Sequence, residues 1–313
     1  MPNVALFQTY DFGFGAGSSN REDLLDVIVN IAPYETPFFS TCPKTTTKHT
    51  THDWLEDSLT AASGNPYGVY FEGADFTAQA VSNRSRKTNV TQIFRKDINI
   101  SETQRTVNPA GLKDEYAYQV GIALKEIARH IETRIFASAA SATGASGTVR
   151  LLKPLEGFIA TNTASAASGL VTKASLDALI EAVYIAGGAP DRLYMYPNTK
   201  TQYASVLGGT AVNYRNIAAQ DQRVVANVDV YQSNFNIIQL VPDRFVPGAS
   251  VTTGYGRNWL IESPKARIAF LRPIKHVPLP PNGDSTRGMI LGELTLELMA
   301  EAAHGKIINQ VTA

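Results

Sequence analysis

Residues 109–137 read PAGLKDEYAYQVGIALKEIARHIETRIFA and carry the most regular helical pattern in the chain. Large apolar residues recur there at steps of three and four, which places them on one face of an α-helix. These residues are Val120, Leu124, Ile127, Ile131 and Ile135. Asn108 can cap this helix, and Pro109 suits its first position. At 1.5 Å per residue the helix is about 40 Å long, so we predict that it spans a whole domain, with Arg129 and Glu132 on its solvent side.

The balance of charge narrows the class of protein. The chain has 313 residues, and 28 Lys and Arg are matched by 28 Asp and Glu, so the formal net charge is zero. Because neither end carries a run of like charge, the pattern disfavours a nucleic-acid binder that works by counterion release. A neutral, weakly charged surface gives little repulsion between copies and therefore favours self-association.

Membrane and secretory signals are missing from the sequence. No apolar run approaches the roughly 20 residues of a membrane-spanning helix, and the N-terminus MPNVALFQTYDF lacks the pattern of a secretory signal. The single cysteine, Cys42, cannot form an internal disulfide and fits a reducing compartment. We therefore expect no membrane partner.

Residues 44–100 are predicted to form a long two-stranded excursion. A threonine-rich extended segment at 45–51 precedes turn formers between Ala61 and Gly73, and a return limb through Val90 and Ile93 continues to Ile100. The segment holds too few large apolar residues for a core of its own, and an isolated hairpin is marginal in water. A partner surface in the same chain or in another one is implied; the alternative is a solvated loop. The candidate contact residues are Trp54, Glu72, Asp75, Arg84, Arg86 and Lys87.

Two further parts of the chain precede its last third. Residues 138–170 are mostly small and predict a mobile connector, and an α/β pattern begins at Thr172, which can cap a helix. It continues with a strand at 193–196, a helix from Pro197 and strands at 224–231 and 235–241.

The last third of the chain is predicted to be β. Two strands at 259–262 and 266–272 precede a proline-rich loop at 273–287. A final strand follows, in which apolar residues alternate with Glu293, Thr295 and Glu297. Alternation with period two predicts a half-buried strand whose carboxylates form its polar face or bind basic residues.

Patterns that could support an enzyme are weak. The loop Gly13-Phe14-Gly15-Ala16-Gly17 invites a nucleotide-binding interpretation, but Ser18 stands where the dinucleotide-binding fingerprint continues, and a suitable strand does not precede it. His49 and His52 point to opposite faces of an extended segment, which disfavours a metal site. We predict no catalytic residue, cofactor or metal site; a nucleotide-binding α/β enzyme that uses Gly13–Gly17 is the alternative.

Several strings resemble the major capsid (major head) protein family of tailed bacteriophages, which has a Hong Kong 97-like fold. They occur in the order of that family and span nearly the whole chain. The strings are IAPYETPF at 31–38, HDWLEDSL at 52–59, LYMYPNTK at 193–200, ARIAFLRP at 266–273, ELTLE at 293–297 and AHGKI at 303–307.

The resemblance implies an α+β fold with a long spine helix and an extended β-hairpin loop. It divides the chain into an N-terminal arm at 1–43 and an extended loop at 44–100. A peripheral domain with the spine helix takes 101–170 and 263–313, and an axial domain takes 171–262.

The resemblance also implies a function. Copies of the chain would form pentamers and hexamers of an icosahedral capsid in the virion, assembled in the bacterial host cytoplasm. The shell would enclose double-stranded DNA without sequence-specific binding, and the extended loop would lie over a neighbouring copy. Scaffold, portal and decoration proteins are possible partners, and a tail or decoration protein is the other structural alternative.

Overall fold

The computed structural model describes residues 35–58, 71–73, 75, 84–107, 114–166, 169–208, 229–247 and 256–310. The predicted helix at 20–33 and the loop Gly13–Gly17 lie outside these ranges.

The described chain contains six α-helices and twelve strands. The helices are α1 (Pro37–Thr41), α2 (Glu102–Thr106), α3 (Glu115–Ile135), α4 (Leu155–Phe158), α5 (Lys173–Ile185) and α6 (Pro197–Gly208). The strands are β1 (Lys44–Thr46), β2 (Thr51–Glu56), β3 (Ser85–Val90), β4 (Gln92–Ser101), β5 (Thr163–Ser165), β6 (Arg192–Met195), β7 (Val230–Gln232), β8 (Ile237–Pro242), β9 (Gly256–Ile261), β10 (Ala266–Leu279), β11 (Ser285–Leu298) and β12 (Gly305–Gln310). Short 3-10 turns occupy Ser263–Lys265 and Glu301–Ala303.

The strands form three sheets. A four-stranded sheet has the order β1-β10-β11-β4, a six-stranded sheet has the order β5-β12-β9-β6-β8-β7, and β2 pairs with β3 alone. In the four-stranded sheet β1 runs parallel to β10, whereas β11 is antiparallel to both β10 and β4. Helices and mixed sheets throughout the described chain agree with the predicted α+β class.

The predicted spine helix is α3, and its start differs from the prediction. The helix begins at Glu115, because the Asp114 carboxylate accepts a hydrogen bond from the Tyr116 N–H at 2.9 Å. Asn108 is therefore not its cap, and its 21 residues give a length of about 31 Å rather than 40 Å. Aspartate is a strong capping residue, whereas the preceding Gly111 disfavours helix.

Two apolar clusters form the core. The larger lies between α3 and the four-stranded sheet, where Ile127 and Ile131 meet Phe94 and Leu294, and it extends to Phe38 of α1. The predicted apolar stripe of α3 is confirmed except at Leu124, which is 44% exposed. The smaller cluster packs α5 and α6 on one face of the six-stranded sheet, through residues that include Leu176, Ile180, Leu193, Leu240 and Ile307.

The proline-rich loop predicted at 273–287 is wrong. Strand β10 continues to Leu279, and β11 already begins at Ser285. The pairing of β10 with β11 is irregular between Arg272 and Lys275, where Pro273 lies. Proline lacks a backbone N–H and is accepted at such irregularities, and also at Pro278, where β10 has passed the end of β1 and is an edge strand.

Two further expectations are corrected by burial. Residues 138–170 contain α4 and β5 and bury Leu152, Leu155 and Ile159, so they are not merely a connector of small residues. Strand β11 is buried on both faces from Gly292 to Leu298 instead of presenting a polar face to solvent. The second face is covered because β3 and the chain around Arg150 pack across it.

The α/β part that begins at Thr172 agrees more closely with the prediction made from the sequence. Thr172 caps α5 in a reciprocal capping box with Ser175, and β6 and α6 occupy the predicted places. Strands β7 and β8 confirm the later parts of the predicted 224–231 and 235–241 strands, and residues 224–228 lie outside the described ranges. In the described part of the chain, none of the helices has the length and apolar character needed to cross a membrane.

His304 is fully buried beside the last strand and is held in one tautomer. Its Nδ1 accepts a hydrogen bond from the Glu262 N–H at 3.2 Å, so the proton lies on Nε2 and is donated to the Met299 carbonyl at 3.2 Å. Burial lowers the pKa of His304 to about 4, because the charged ring would lose its hydration.

We expect His304 to make the fold sensitive to mild acid. The unfolded ring takes up a proton near pH 6.5, whereas the folded ring stays neutral until about pH 4, so stability falls as the pH falls through this window. Between pH 7 and pH 5 the loss is about 2 kcal/mol. Urea unfolding of His304→Gln, which cannot titrate, should show a correspondingly shallower pH dependence.

The matched control is His130→Gln, which removes an exposed histidine from α3. This variant should follow the wild-type pH dependence. If His304→Gln and His130→Gln behave alike, His304 is not the group that links stability to pH.

Candidate functional site: the β2–β3 hairpin and the sheet face beside it

The predicted excursion contains a regular hairpin with two different faces. Strands β2 and β3 pair antiparallel from Thr51 opposite Val90 to Glu56 opposite Ser85. Because side chains alternate along a strand, His52, Trp54 and Glu56 share one side, which we call the inner face. These three side chains are half-buried, whereas Asp53 and Leu55 on the outer face are exposed.

The inner face rests on the body of the same chain. His52 Nε2 lies 3.0 Å from Glu297 Oε2 on β11, and the Trp54 ring lies 5.8 Å from the Phe158 ring. Glu56 Oε1 accepts a hydrogen bond from the Ala300 N–H at 2.8 Å. The hairpin is thus anchored at three successive inward positions.

Asn89 anchors the second limb of the hairpin. Its amide donates to the carbonyl of Leu296 at 2.7 Å and to that of Lys153 at 3.2 Å. Its Oδ1 accepts from the Lys153 N–H at 2.7 Å, and the residue is only 3% exposed. A buried side chain with all these hydrogen bonds fixes β3 against β11 and the chain before α4.

These contacts decide between the alternatives left open by the sequence for the limbs of the hairpin. The same chain supplies the partner surface for residues 51–56 and 85–90. The two-stranded hairpin is also shorter than the excursion predicted at 44–100. It consists of β2 and β3 only, because β1 and β4 belong to the four-stranded sheet. Strand β4 buries Phe94 and Ile98 in the main core, so this part of the return limb is not solvated.

The predicted contact residues are distributed over both faces. Arg86 forms an ion pair with Asp53 on the outer face, and Arg84 lies 3.4 Å from Asp57. Lys87 pairs with Trp54 across the hairpin and is exposed. Glu72 and Asp75 are exposed as well. Arg84 and Arg86 therefore have partners within their own chain.

A buried carboxylate lies on the same side of the four-stranded sheet as the hairpin. The Glu293 side chain is 4% exposed and contacts Arg150 at 2.6 Å, Arg272 at 2.9 Å and the Thr91 hydroxyl at 2.8 Å. The alternating strand pattern had allowed Glu293 to bind basic residues, and it binds two. Arg272 lies directly opposite it in the β10–β11 pair, whereas Arg150 comes from a distant segment, for which local spacing carries no signal.

Beyond Glu293 the same sheet face is open. Arg95 pairs with Leu291 across β4 and β11, and Ile93 lies two residues before it on the same face. Together with Met289 and Val149 they line a groove of about 480 Å³. Val149 is 71% exposed and Ile93 is 46% exposed. This part of the sheet has no covering element in the described chain.

The base of the predicted N-terminal arm is held by a second buried carboxylate. Glu132 accepts hydrogen bonds from the N–H groups of Phe38 and Phe39 at 2.7 and 2.8 Å, although it was expected on the solvent side of α3. Burial and the neighbouring Asp243 raise the pKa of Glu132 to about 9. Burial also raises the pKa of Asp243, so ionising both of these buried acids is unfavourable.

The remaining titratable candidates do not form a site in the described chain. His49 is exposed, whereas His52 is engaged with Glu297. Burial raises the pKa of the Cys42 thiol far above its usual range, which disfavours the reactive thiolate. In the described ranges, no three His, Cys, Asp or Glu side chains converge in a way that could hold a metal ion.

Comparison with known sequences identifies the family. The family model of the SU10 major capsid protein matches residues 7–311. The major capsid protein of Escherichia phage Phieco32 is 31% identical over 132 residues, which is 42% of this chain and 36% of that protein. The matched region thus spans little more than a third of the curated relative.

Comparison with solved structures identifies the fold. The cyanophage A-1(L) capsid subunit is similar with a TM-score of 0.66 at 12% identity, over 95% of this chain and 99% of that one. The SrpI encapsulin of Synechococcus elongatus PCC 7942 is similar with a TM-score of 0.61 at 11% identity, over 99% and 98% of the two chains. Because phage capsids and an encapsulin share this fold, the fold alone leaves the function open.

The sequence family indicates the function, which the fold alone leaves open. The predicted Hong Kong 97-like fold is confirmed by the similarity to phage capsid subunits. A match to a capsid protein over nearly the whole length supports a structural subunit and argues against the nucleotide-binding enzyme. It also argues against a tail or decoration protein. The chain therefore belongs to the SU10 major capsid protein family.

Proposed function

We propose that copies of this chain form the pentamers and hexamers of an icosahedral phage shell that encloses double-stranded DNA. The coarser role, a structural subunit of a capsid in the virion, follows from the family. The observation that carries the proposal is the family match over residues 7–311. The similarity of the fold to capsid subunits over 95% of the chain supports it.

The two-faced hairpin supports a role in contacts between copies. Its inner face is anchored to its own chain, whereas Leu55 on the outer face is 64% exposed. Anchoring at the base gives the hairpin a defined direction, so its outer face and the connection at 57–84 can meet a neighbouring copy without a large cost in conformational entropy. The exposed Glu72, Asp75, Arg84, Arg86 and Lys87 and the half-buried Trp54 stay our candidate contact residues.

The proposal includes further partners. We propose that a scaffold, a portal and decoration proteins join the shell, and that it assembles in the cytoplasm of the bacterial host. The neutral chain, with 28 positive and 28 negative residues, supports enclosure of DNA without sequence-specific binding.

Negative-stain electron microscopy of the expressed chain tests the proposal. We expect closed shells of uniform diameter, formed by the chain alone or together with a co-expressed scaffold. A strictly monomeric species under both conditions would contradict the assignment as a shell subunit.

We expect charge reversal on the hairpin to impair assembly and to leave the subunit folded. The change is Arg84→Glu, Arg86→Glu and Lys87→Glu in one chain. Exposed ion pairs such as those with Asp53 and Asp57 contribute about 1 kcal/mol or less each, so unfolding by urea should change little. Particle yield, measured by sucrose-gradient sedimentation, should fall.

The matched control keeps the charges and changes the side chains, as Arg84→Lys, Arg86→Lys and Lys87→Arg. Its particle yield should stay near that of the wild type. A wild-type yield from the charge-reversed variant would remove these residues from the interface.

A further inference from the structure

We propose that the open edge of β4, the side that faces away from β11, pairs with the open edge of β4 in a second copy. The two strands run antiparallel around a twofold axis. The inference rests on the proposed assembly of copies into a shell and names one contact that joins them. This contact belongs to the body of the subunit rather than to the β2–β3 hairpin, because β4 is a member of the four-stranded sheet.

Strand β4 is the outermost strand of its sheet. Its ten residues pair with β11 in an unbroken register, from Gln92 opposite Leu294 to Ser101 opposite Ser285. Among the strands of the described chain, none pairs with its open edge. A strand of this length presents a row of backbone N–H and C=O groups on that side, and such a row is a template for another strand.

The other edges of the two larger sheets are protected from such pairing. Where β10 extends beyond β1, it contains Pro273 and Pro278 and its pairing is irregular, and both features oppose the addition of a strand. The outer strands of the six-stranded sheet, β5 and β7, have only three residues each. Strand β4 is long and regular and contains neither proline nor glycine. Its edge therefore lacks the features that keep an edge strand unpaired.

A groove of about 590 Å³ runs beside this edge. It lies between residues 96–101 of β4 and one flank of α3, which contributes Glu115, Gln119, Ile122 and Glu126. A second β4 strand that continues the sheet enters this groove, where Ile98 and Ile122 supply apolar contacts. The space beside the edge thus accommodates a strand and gives it a surface to pack on.

The charges on β4 favour a second β4 strand in one register. Around a twofold axis perpendicular to the sheet, one residue of β4 lies opposite its own equivalent. With Lys96 at this centre, Arg95 of each copy lies opposite Asp97 of the other, and residues 92–100 all have a partner. Both side chains are 58% exposed and accessible to a second copy. A centre at Arg95 or at Asp97 instead places like charges opposite each other, which destabilises a strand pair.

The side of the pair that faces α3 is balanced as well. Lys96 binds Glu126 of its own chain at 2.7 Å, so the two lysines that meet at the axis bring two carboxylates with them. In the same register Phe94 lies opposite Ile98 of the second copy, and both residues are buried in their own chain. Because the contact is isologous, each of these interactions occurs twice.

A mixing experiment with reversed charges tests the register. Arg95→Asp leaves only carboxylates at positions 95 and 97, and Asp97→Arg leaves only guanidinium groups there. Each variant alone should associate about tenfold more weakly, because two attractive pairs become repulsive. A mixture of the two variants should recover the particle yield, and since both have lost the ion pair within the chain, the recovery must come from contacts between copies. Arg95→Lys, which keeps the charge, is the matched control and should assemble like the wild type.

A disulfide at the axis gives a second measurement. Lys96→Cys places a thiol opposite its own equivalent, with the two Cβ atoms about 5 Å apart. Mild oxidation of assembled particles should then give disulfide-linked dimers on a non-reducing gel; the native Cys42 is buried. The matched control is Asn99→Cys on the same strand. Asn99 lies opposite Ile93 of the second copy, so its own equivalent is about 20 Å away and no dimer should form.

The outcomes separate the inference from the proposed function. Particles of the Lys96→Cys variant that give no disulfide-linked dimer would overturn the inference and leave the shell function standing. Equal linkage at positions 96 and 99, or a charge-reversed mixture that assembles no better than its components, would also overturn it. Failure to form particles in any wild-type preparation would count against the shell function itself, and the inference would fall with it.

Discussion

Replacing Glu293 with alanine is expected to lower the free energy of unfolding of the isolated subunit by about 2–3 kcal/mol. The change removes the carboxylate that Arg150 and Arg272 share, and it deprives the buried Thr91 hydroxyl of its acceptor. A charge or donor left without a partner in a buried place costs more than the interaction itself contributes. Urea unfolding followed by circular dichroism measures the change.

Two variants make this result specific. Glu181→Ala removes an exposed glutamate from α5 and should change stability by no more than about 0.5 kcal/mol. Glu293→Gln keeps the shape but not the charge, and its cost should lie between the two. A loss of less than about 1 kcal/mol for Glu293→Ala would show that the cluster is not a structural centre.

Replacing Phe38 with alanine is expected to cost about 3–5 kcal/mol. Phe38 is fully buried at the base of the predicted arm, and its ring meets those of Phe136 at 5.4 Å and Tyr194 at 5.3 Å in edge-on contacts. Removal leaves a cavity that rigid aromatic neighbours cannot fill. The same urea titration measures the effect.

Phe39→Ala is the matched control for Phe38→Ala. Phe39 is adjacent, and its N–H also binds Glu132, so the backbone contact is equivalent. Its ring is only half-buried, however, and packs beside Phe270 and Lys44. We expect a cost of about 1 kcal/mol; equal costs for the two variants would refute the view that Phe38 anchors the arm.

Local patterns predicted those parts of the fold that local physics controls. The capping of α5 by Thr172 and the apolar stripe of α3 depend on residues close in the chain. The helix start at Asp114 was missed because two competent caps, Asn108 and Asp114, stand near each other in the sequence. The choice between them is a difference of about 1 kcal/mol or less.

The anchoring contacts were missed for a different reason. Glu132 lies one residue beyond the stripe of α3 and is buried only because α1 places two backbone N–H groups against it. Glu293 is buried because Arg150, from a distant segment, joins its cross-strand neighbour Arg272 at the carboxylate. The continuation of β10 through Pro273 and Pro278 likewise depends on its position at a sheet edge, which no local pattern reveals.

A cryo-electron microscopy reconstruction of particles assembled from this chain tests the central claim most directly, that the chain builds a shell from its own copies. We predict icosahedral symmetry, with the same fold at the fivefold vertices and in the hexamers between them. Density for the connection at 57–84 should lie on the neighbouring copy. Tubes, open rings or only isolated subunits in the presence of a scaffold would contradict the claim.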